Sequence, residues 1–184
     1  TVGPILEDLD LAEDQTLVSF AAGVPTDFLE ARTDATVVRA MPNLAAATGN
    51  VAAAIARPVE DGVVASLLEE VGKVIEVEED QMDLATAVNG SGPAFVFYFI
   101  QAMKRAAVEG GLEPAAAETL VAQTFKGAAE TVLRSGRSVD ELIDAVCSPN
   151  GTTIEGMEVL WDSDVDETVV ETVGAAETRA AELR

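Results

Sequence analysis

The stretch Pro93–Glu109, PAFVFYFIQAMKRAAVE, decides the architecture of this chain. Its pattern predicts a helix that ends at Gly110 and is apolar on nearly every face of its first half. The apolar side chains of that half are Phe95, Val96, Phe97, Phe99, Ile100 and Met103. A helix that is apolar all round is buried on all sides, so we expect this one inside a helical domain.

Helical patterns continue to the end of the chain. Ala115–Leu133 is predicted as a long, Ala-rich amphipathic helix, and Ser138 and Glu141 have the spacing of a capping box before the next helix. Two further helices are predicted at about Thr153–Leu160 and Glu167–Leu183. We therefore expect an all-helical domain over residues 79–184.

The first part of the chain has a different pattern. Short apolar or β-branched runs predict strands at Gln15–Ala22, Thr36–Met41, Val51–Ala56 and Lys73–Val77. Helices are predicted between them at Pro25–Arg32 and at about Glu60–Val71. Alternating strands and helices are typical of a layered α/β unit, which we expect over residues 1–78.

The predicted helical domain carries more apolar surface than a monomer of its size easily hides. Association with a second copy would cover that surface. The alternative is that the α/β part covers it. We expect an oligomer.

Composition excludes several classes of function. The chain has no histidine, which excludes a Ser/His/Asp triad and His-ligated zinc or iron, and we assign no metal site. One cysteine, Cys147, forms no internal disulfide, which favours a reducing compartment. No apolar run reaches the roughly 20 residues that span a bilayer, and no signal-peptide pattern is present, so we expect a cytoplasmic protein.

The net charge of -22 comes from 33 acidic and 11 basic residues. It has the wrong sign for attraction to nucleic acids or anionic membranes, so we expect neither as a partner. Only Lys73, Lys104 and Lys126 are lysines, and aromatic residues make up 4% of the chain. An acidic, lysine-poor surface over small apolar side chains is typical of proteins from salt-saturated cytoplasm, where salt screens self-repulsion. The alternative is an acidic interaction face.

Two glycine-rich turns precede predicted helices, at Val88–Ala94 and at Cys147–Gly156. A helix start leaves backbone N–H groups unpaired at the positive end of the dipole, so such a turn can hold a carboxylate or phosphate. In the second turn Gly151, Thr152 and Thr153 would supply successive N–H groups, while Ser148 and Thr153 would add hydroxyls. An ordinary capped helix is the structural alternative.

The carboxyl ends of two predicted strands carry a third candidate site. Ala21–Gly23 and Met41–Asn43 follow these strands, on the side of an open α/β sheet where ligands bind. Tight strand-to-helix turns would give the same pattern. The GxGxxG dinucleotide motif is satisfied nowhere in the chain, because Phe95 stands where Gly90–Gly92 would need a third glycine.

Several of these segments, in order, resemble pyrroline-5-carboxylate reductases. The matching stretches are SFAAGVPTDFLE, VVRAMPN, EVEEDQMDLATAVNGSGPAFVF, GLEPAAAETLVAQTFKGAAE and CSPNGTTIEGMEVL. The family's Ser-Pro-Gly-Gly-Thr-Thr motif is here Ser148–Thr153, with Asn150 in place of a glycine; Asn also tolerates positive φ. Asn89 stands where the family usually has Ser or Thr.

The resemblance implies the C-terminal half of a Rossmann-type nucleotide-binding domain followed by a helical dimerisation domain. We expect the family's first strand and GxGxxG loop to be missing from this chain, and cofactor binding by the chain as it stands to be weak. The implied reaction is hydride transfer from NADPH or NADH to 1-pyrroline-5-carboxylate, giving L-proline, in a homodimer or a larger homo-oligomer.

The resemblance also implies a role for each site residue. The substrate carboxylate would bind Ser148, Gly151, Thr152 and Thr153, with the Thr153 hydroxyl near the imine nitrogen. The residues implied at the nicotinamide half of the cofactor are Phe20, Ala21, Ala22, Met41, Pro42 and Asn43, with Ser91, Gly92 and Pro93 closing the site. Two alternatives are a catalytically silent oligomerisation module and a β-hydroxyacid dehydrogenase relative. Lys104 lies too far along its helix for the catalytic lysine of the latter.

Overall fold

A computed structural model describes residues 2–57 and 62–183 of the chain. The described residues form two compact units, one from Thr1–Pro93 together with Val170–Arg184 and the other from Ala94–Val169. The domain boundary predicted after residue 78 lies inside the first unit and stays a prediction.

The first unit is built on a four-stranded mixed sheet. Its strands are β1 (Thr16–Ser19), β2 (Thr36–Pro42), β3 (Val51–Ala56) and β4 (Gly72–Val77), in the spatial order β1-β2-β3-β4. β1 runs parallel to β2 and β3 runs parallel to β4, whereas β2 and β3 are antiparallel. All four predicted strands are present. The first is shorter than predicted, because residues 20–22 leave the sheet in a turn.

The two faces of this sheet are covered by different elements. Val38, Ala40 and Ile55 form one core cluster with Val64 of helix α3 (Gly62–Glu69). On the other face Met41, Ala54 and Ala56 pack with Met82. Adjacent residues of β2 and β3 thus enter opposite clusters, as the period of two in a strand requires. Burial on both faces explains why these strands are continuous apolar runs.

The remaining helices before residue 91 are short. They are α1 (Val2–Glu7), α2 (Thr26–Glu30) and α4 (Met82–Ala85), with 3₁₀ turns at Ala45–Thr48 and Glu79–Gln81 and a π turn at Thr86–Gly90. The predicted helix from about Glu60 begins outside the described residues, and its described part ends at Glu69, two residues earlier than expected. The segment from residue 79 is helical, as predicted, but in three short pieces.

Longer helices make up the rest of the chain. They are α5 (Gly92–Glu109), α6 (Pro114–Ser135), α7 (Val139–Val146), α8 (Thr152–Trp161) and α9 (Val165–Ala181). The side chain of Glu113 caps α6 by accepting from the N–H groups of Ala115 and Ala116. The predicted capping box of Ser138 and Glu141 is confirmed at the start of α7. These local signals explain why the ends of these helices were predicted to within a few residues.

Helix α5 is not buried within the single chain. The side chains of Phe97 and Tyr98 are 66% and 69% exposed, and none of the helix's residues is buried. Our expectation that α5 is buried on all sides is therefore wrong for one chain. Its apolar side chains are instead partly or largely exposed in the single chain.

Candidate functional site

The carboxyl ends of β1 and β2 lie at the same edge of the sheet. The two strands are parallel and in register from Thr16 with Thr36 to Ser19 with Arg39. The residues predicted at the cofactor follow directly: Phe20, Ala21 and Ala22 after β1, and Met41, Pro42 and Asn43 at the end of β2. The structure therefore brings these six residues to one edge.

A shared cluster of side chains supports both strand ends. Met41 is 8% exposed and lies in the core cluster that Ala22 also contacts. In contrast, the side chain of Phe20 is 53% exposed. The edge thus combines a buried base with an exposed aromatic ring.

Asn43 fixes the turn after β2. Its side-chain Oδ1 accepts from the backbone N–H of Ala45 at 3.1 Å and of Ala52 at 3.3 Å. Its own backbone N–H donates to the carbonyl of Ala52 at 3.1 Å. These bonds hold the turn against the start of β3.

A buried ionic cluster lies behind this edge, and the sequence reasoning missed it. Arg39 in β2 is 1% exposed, forms a salt bridge with Glu79, and lies 3.6 Å from Asp83. Glu79 also accepts from the backbone N–H of Thr26 at 3.2 Å and from its hydroxyl at 2.8 Å. Glu79 therefore ties the start of α2, strand β2 and the first 3₁₀ turn of the helical segment together. A lone arginine in the apolar strand TVVRAMP is the signal that could have predicted a buried acidic partner.

The π turn contributes a further contact to the same edge. Asn89 Nδ2 donates to the carbonyl of Met41 at 2.6 Å and to that of Ala52 at 2.9 Å. The backbone N–H of Ser91 donates to Thr86, which closes the turn. Ser91, Gly92 and Pro93, which the resemblance implies close the site, follow Gly90 at the end of this turn and are half-buried.

In the second unit, the residues predicted to bind the substrate form the turn that starts α8. Asn150 has φ 58°, the conformation expected where the family has glycine. Gly151 is the N-cap of α8 and donates its N–H to the carbonyl of Ser148 at 2.9 Å. Thr152 and Thr153 are the first two helical residues and are exposed.

The turn has the features of a carboxylate site. A Cβ added to Gly151 would lie 2.4 Å from Ser148 Oγ, so only glycine lets the Ser148 hydroxyl lie this close to the helix start. Helix α8 has no side-chain cap within the described chain. The N–H groups of Thr152 and Thr153 and the positive end of the dipole are therefore available to an anion. The expectation that the Gly151 N–H is also available is wrong, because it donates to the Ser148 carbonyl.

Lys104, the lysine considered for the alternative reductase type, has a structural partner. Lys104 of α5 forms an ion pair with Glu118 of α6, and this contact lowers the pKa of Glu118 from its ordinary value of 4.5.

Among residues 2–57 and 62–183 no cluster of acids and cysteine could hold a metal ion. No helix in that part of the chain is both long and apolar enough to cross a bilayer.

The fold defines a class of protein. An α/β unit with ligand-facing strand ends, followed by a long helical region, is the organisation of reductases that combine a Rossmann-type nucleotide-binding part with a helical domain. A family model described as pyrroline-5-carboxylate reductase dimerisation matches residues 79–183. The chain belongs to the pyrroline-5-carboxylate reductase family.

Individual relatives agree with this assignment. The pyrroline-5-carboxylate reductase of Methanosarcina acetivorans is 37% identical over 100% of this chain and 71% of its own length. That of Arabidopsis thaliana is 37% identical over 94% of this chain and 65% of its own length. The chain thus spans about two thirds of the length of these relatives.

Solved structures of the family have the same fold. The Coxiella burnetii enzyme superposes with a TM-score of 0.88 at 34% identity, covering 98% of this chain and 70% of that one. The Plasmodium falciparum pyrroline carboxylate reductase, solved with NADP bound, has a TM-score of 0.81 at 31% identity, covering 91% of this chain and 67% of that one. The predicted fold class, part of a Rossmann-type unit followed by a helical dimerisation domain, is confirmed.

Proposed function

We propose that this protein reduces 1-pyrroline-5-carboxylate to L-proline with NADPH or NADH, the last step of proline biosynthesis. The observation that carries the proposal is the uncapped start of α8, where Gly151 lets the Ser148 hydroxyl approach the helix N-terminus. A planar ring with one carboxylate is a ligand that this turn can hold by its charged end. Membership of the reductase family supplies the reaction.

The substrate half of the site is assigned to the second unit. The N–H groups of Thr152 and Thr153, with the hydroxyl of Ser148, bind the carboxylate, while Gly151, whose own N–H donates to the Ser148 carbonyl, leaves room for that hydroxyl. The Thr153 hydroxyl hydrogen-bonds to the ring nitrogen and orients the C=N bond. The ring nitrogen is protonated from solution, so no histidine is needed for the proton that the product carries.

The cofactor half is assigned to the first unit. The residues that hold the nicotinamide end are Phe20, Ala21, Ala22, Met41, Pro42 and Asn43, with Ser91, Gly92 and Pro93 beside them. When bound, the reduced nicotinamide supplies a hydride to the C=N carbon. The protein's contribution is to hold the ring, exclude water and orient the two reactants.

The active form is a homodimer, or a larger homo-oligomer, made through the helical region. Its support is the match of residues 79–183 to a dimerisation domain and the exposure of Phe97 and Tyr98 on α5. We place the protein in a cytoplasm, which the proposed biosynthetic role and its half-buried free cysteine, Cys147, favour. Its acidic surface is proposed as an adaptation to high salt.

A turnover assay tests the proposal. The protein, expressed with any natural residues that precede Thr1, is mixed with NADPH and 1-pyrroline-5-carboxylate in molar KCl, and L-proline is measured as NADPH is consumed. We expect one proline for each NADPH oxidised. Stable dimers that bind NADPH but form no proline would contradict the proposal and favour a silent oligomerisation module.

A further inference from the structure

We propose that Asn89 is a positioning residue for the cofactor-binding end of β2. Its side-chain amide holds the turn Met41–Pro42–Asn43 in the conformation that receives the nicotinamide end of the cofactor. The inference rests on the proposed function, because it takes that turn as part of the cofactor site. It concerns a residue at which this chain differs from the Ser or Thr that its family usually has.

The hydrogen bonds of Asn89 are specific to an amide nitrogen. Nδ2 lies 2.6 Å from the Met41 carbonyl oxygen and 2.9 Å from the Ala52 carbonyl oxygen. Carbonyl oxygens only accept hydrogen bonds, so the group that faces both must carry two hydrogens. This requirement fixes the orientation of the amide.

The two carbonyls belong to the place where β2 and β3 separate. The strands pair as far as Pro42 with Ala53, and the next bond runs from the Asn43 N–H to the Ala52 carbonyl. The Ala52 N–H donates to the side chain of Asn43. Asparagine side chains thus continue the hydrogen bonding where Pro42 has no N–H to offer.

The alternatives to asparagine cannot make this bridge. A serine or threonine hydroxyl has one hydrogen, so it can donate to only one carbonyl at a time. An aspartate would place carboxylate oxygens against two carbonyl oxygens, which repel them. Asn89 thus supplies a bond that the family's usual residues lack.

The amide oxygen of Asn89, in contrast to its nitrogen, makes no hydrogen bond in the described chain. Asn89 Oδ1 is buried and has no hydrogen-bond partner among residues 2–57 and 62–183. A buried acceptor without a partner destabilises the fold. Against this cost its nitrogen bridges two backbone segments, from a π turn of the kind often found at functional sites.

A loosened turn should weaken cofactor binding without touching the substrate turn. If only a fraction of molecules has the binding conformation, the apparent dissociation constant rises by the inverse of that fraction. For Asn89→Ser we expect the NADPH dissociation constant and KM to rise about tenfold, which corresponds to the turn being formed in about a tenth of the molecules. The KM for 1-pyrroline-5-carboxylate should stay within about twofold, because its proposed site is built by other residues.

The matched control is Asn50→Ser. Asn50 is exposed, directly precedes β3, and its Nδ2 donates to the Thr48 carbonyl at 2.7 Å. The same NADPH titration and steady-state assay are run on wild type, Asn89→Ser, Asn89→Asp and Asn50→Ser. Hydrogen exchange at the backbone amides of Asn43 and Ala52, with the Thr36 amide as internal reference, measures how often the turn opens and does not require enzyme activity.

The expected result is faster exchange at Asn43 and Ala52 and weaker NADPH binding in both Asn89 variants, with Asn50→Ser like wild type. Faster exchange with unchanged NADPH binding would overturn the positioning role, and so would an equal rise of both KM values. A wild type that binds NADPH without turnover would contradict the proposed function while the titration still tests Asn89. A wild type that is expressed with any natural residues preceding Thr1 and does not bind NADPH at all would overturn both.

Discussion

At the scale of single residues, the turn before α8 places a different steric requirement on each of two backbone positions. Asn150 must adopt φ 58°, which asparagine tolerates, and Gly151 must leave room for the Ser148 hydroxyl. Neither position contributes a side chain to the proposed carboxylate site. The shape of the turn therefore depends on two residues that contribute their backbone conformation, while Ser148 and Thr153 supply the hydroxyls.

Replacing Gly151 tests that dependence. In Gly151→Ala the new Cβ would lie 2.4 Å from Ser148 Oγ and 2.9 Å from its carbonyl oxygen, so the turn must shift. We expect kcat/KM for 1-pyrroline-5-carboxylate to fall by about a hundredfold or more, because small displacements of positioning groups carry large rate penalties. Steady-state kinetics measure the effect.

Gly156 in the same helix provides the control. A Cβ at Gly156 would meet nothing within 4 Å in the described chain, and alanine favours a helix over glycine by about 1 kcal/mol. Gly156→Ala should keep its activity and unfold at a higher temperature. Equal losses of activity in the two variants would show that the space beside Ser148 is not what matters.

Thr153 is the side chain in this turn with a proposed chemical role. Thr153→Ala removes the hydroxyl beside the imine nitrogen but keeps the backbone N–H that binds the carboxylate. We expect kcat/KM to fall by about 10- to 100-fold, equivalent to roughly 1.4 to 2.8 kcal/mol of transition-state stabilisation. Thr119→Ala, which removes an exposed helical hydroxyl bonded only to its own helix, is the control. Wild-type rates in Thr153→Ala would exclude the role.

The sequence predicted some site residues and not others for a physical reason. The α8 turn and the strand ends depend on local signals, since proline fixes its own φ while glycine and asparagine tolerate positive φ. In contrast, Arg39 and Glu79 are 40 positions apart, and Asn89 and Met41 are 48 apart. Which distant groups meet is set by tertiary packing, which no local pattern encodes.

At the scale of elements, the Arg39–Glu79 contact joins three segments behind the sheet edge where β1 and β2 end. The Arg39 side chain is 1% exposed and the Glu79 side chain is 34% exposed. Water can therefore solvate part of the glutamate charge, whereas the arginine charge depends on its acidic neighbours. The strands and longer helices around it were predicted from periodicity. The 3₁₀, α and π pieces of residues 79–90 were predicted only as helical, because their division follows from packing on β2 and β3.

Removing the charge of Glu79 tests this contact. We expect Glu79→Gln to lower the free energy of unfolding by about 1 to 3 kcal/mol, because a buried guanidinium loses part of its compensation. Glu76→Gln is the matched control, since its partner Arg57 is 52% exposed and such a pair contributes about 1 kcal/mol or less. Chemical denaturation in moderate salt measures both. Equal effects would show that Arg39 does not depend on Glu79.

At the scale of the whole molecule, the exposed face of α5 predicts how copies associate. Phe97→Asp places a charge where the proposed dimer buries an aromatic ring, so we expect monomers or aggregates in place of dimers by sedimentation velocity. Val63→Asp is the control, because Val63 is 63% exposed, close to the 66% of Phe97, and lies outside the matched dimerisation region. A dimer that survives Phe97→Asp unchanged would place the interface on another face.

The net charge of -22 makes a further prediction about the whole molecule. Repulsion among exposed acids is screened over about 10 Å at 0.1 M salt and about 3 Å at 1 M. We therefore expect the melting temperature to rise between 0.1 M and 2 M KCl.

Salt also strengthens apolar burial, so a charge-reduced variant is needed to separate the two effects. The segment from the last residue of α1 to Asp14 carries five exposed acids whose replacement by amides disturbs no ion pair found in the described chain: Glu7, Asp8, Asp10, Glu13 and Asp14. If screening dominates, this variant should melt higher than wild type at 0.1 M KCl and gain less from added salt. Identical salt responses would assign the stabilisation to apolar burial and remove the support that the acidic surface gives to salt adaptation.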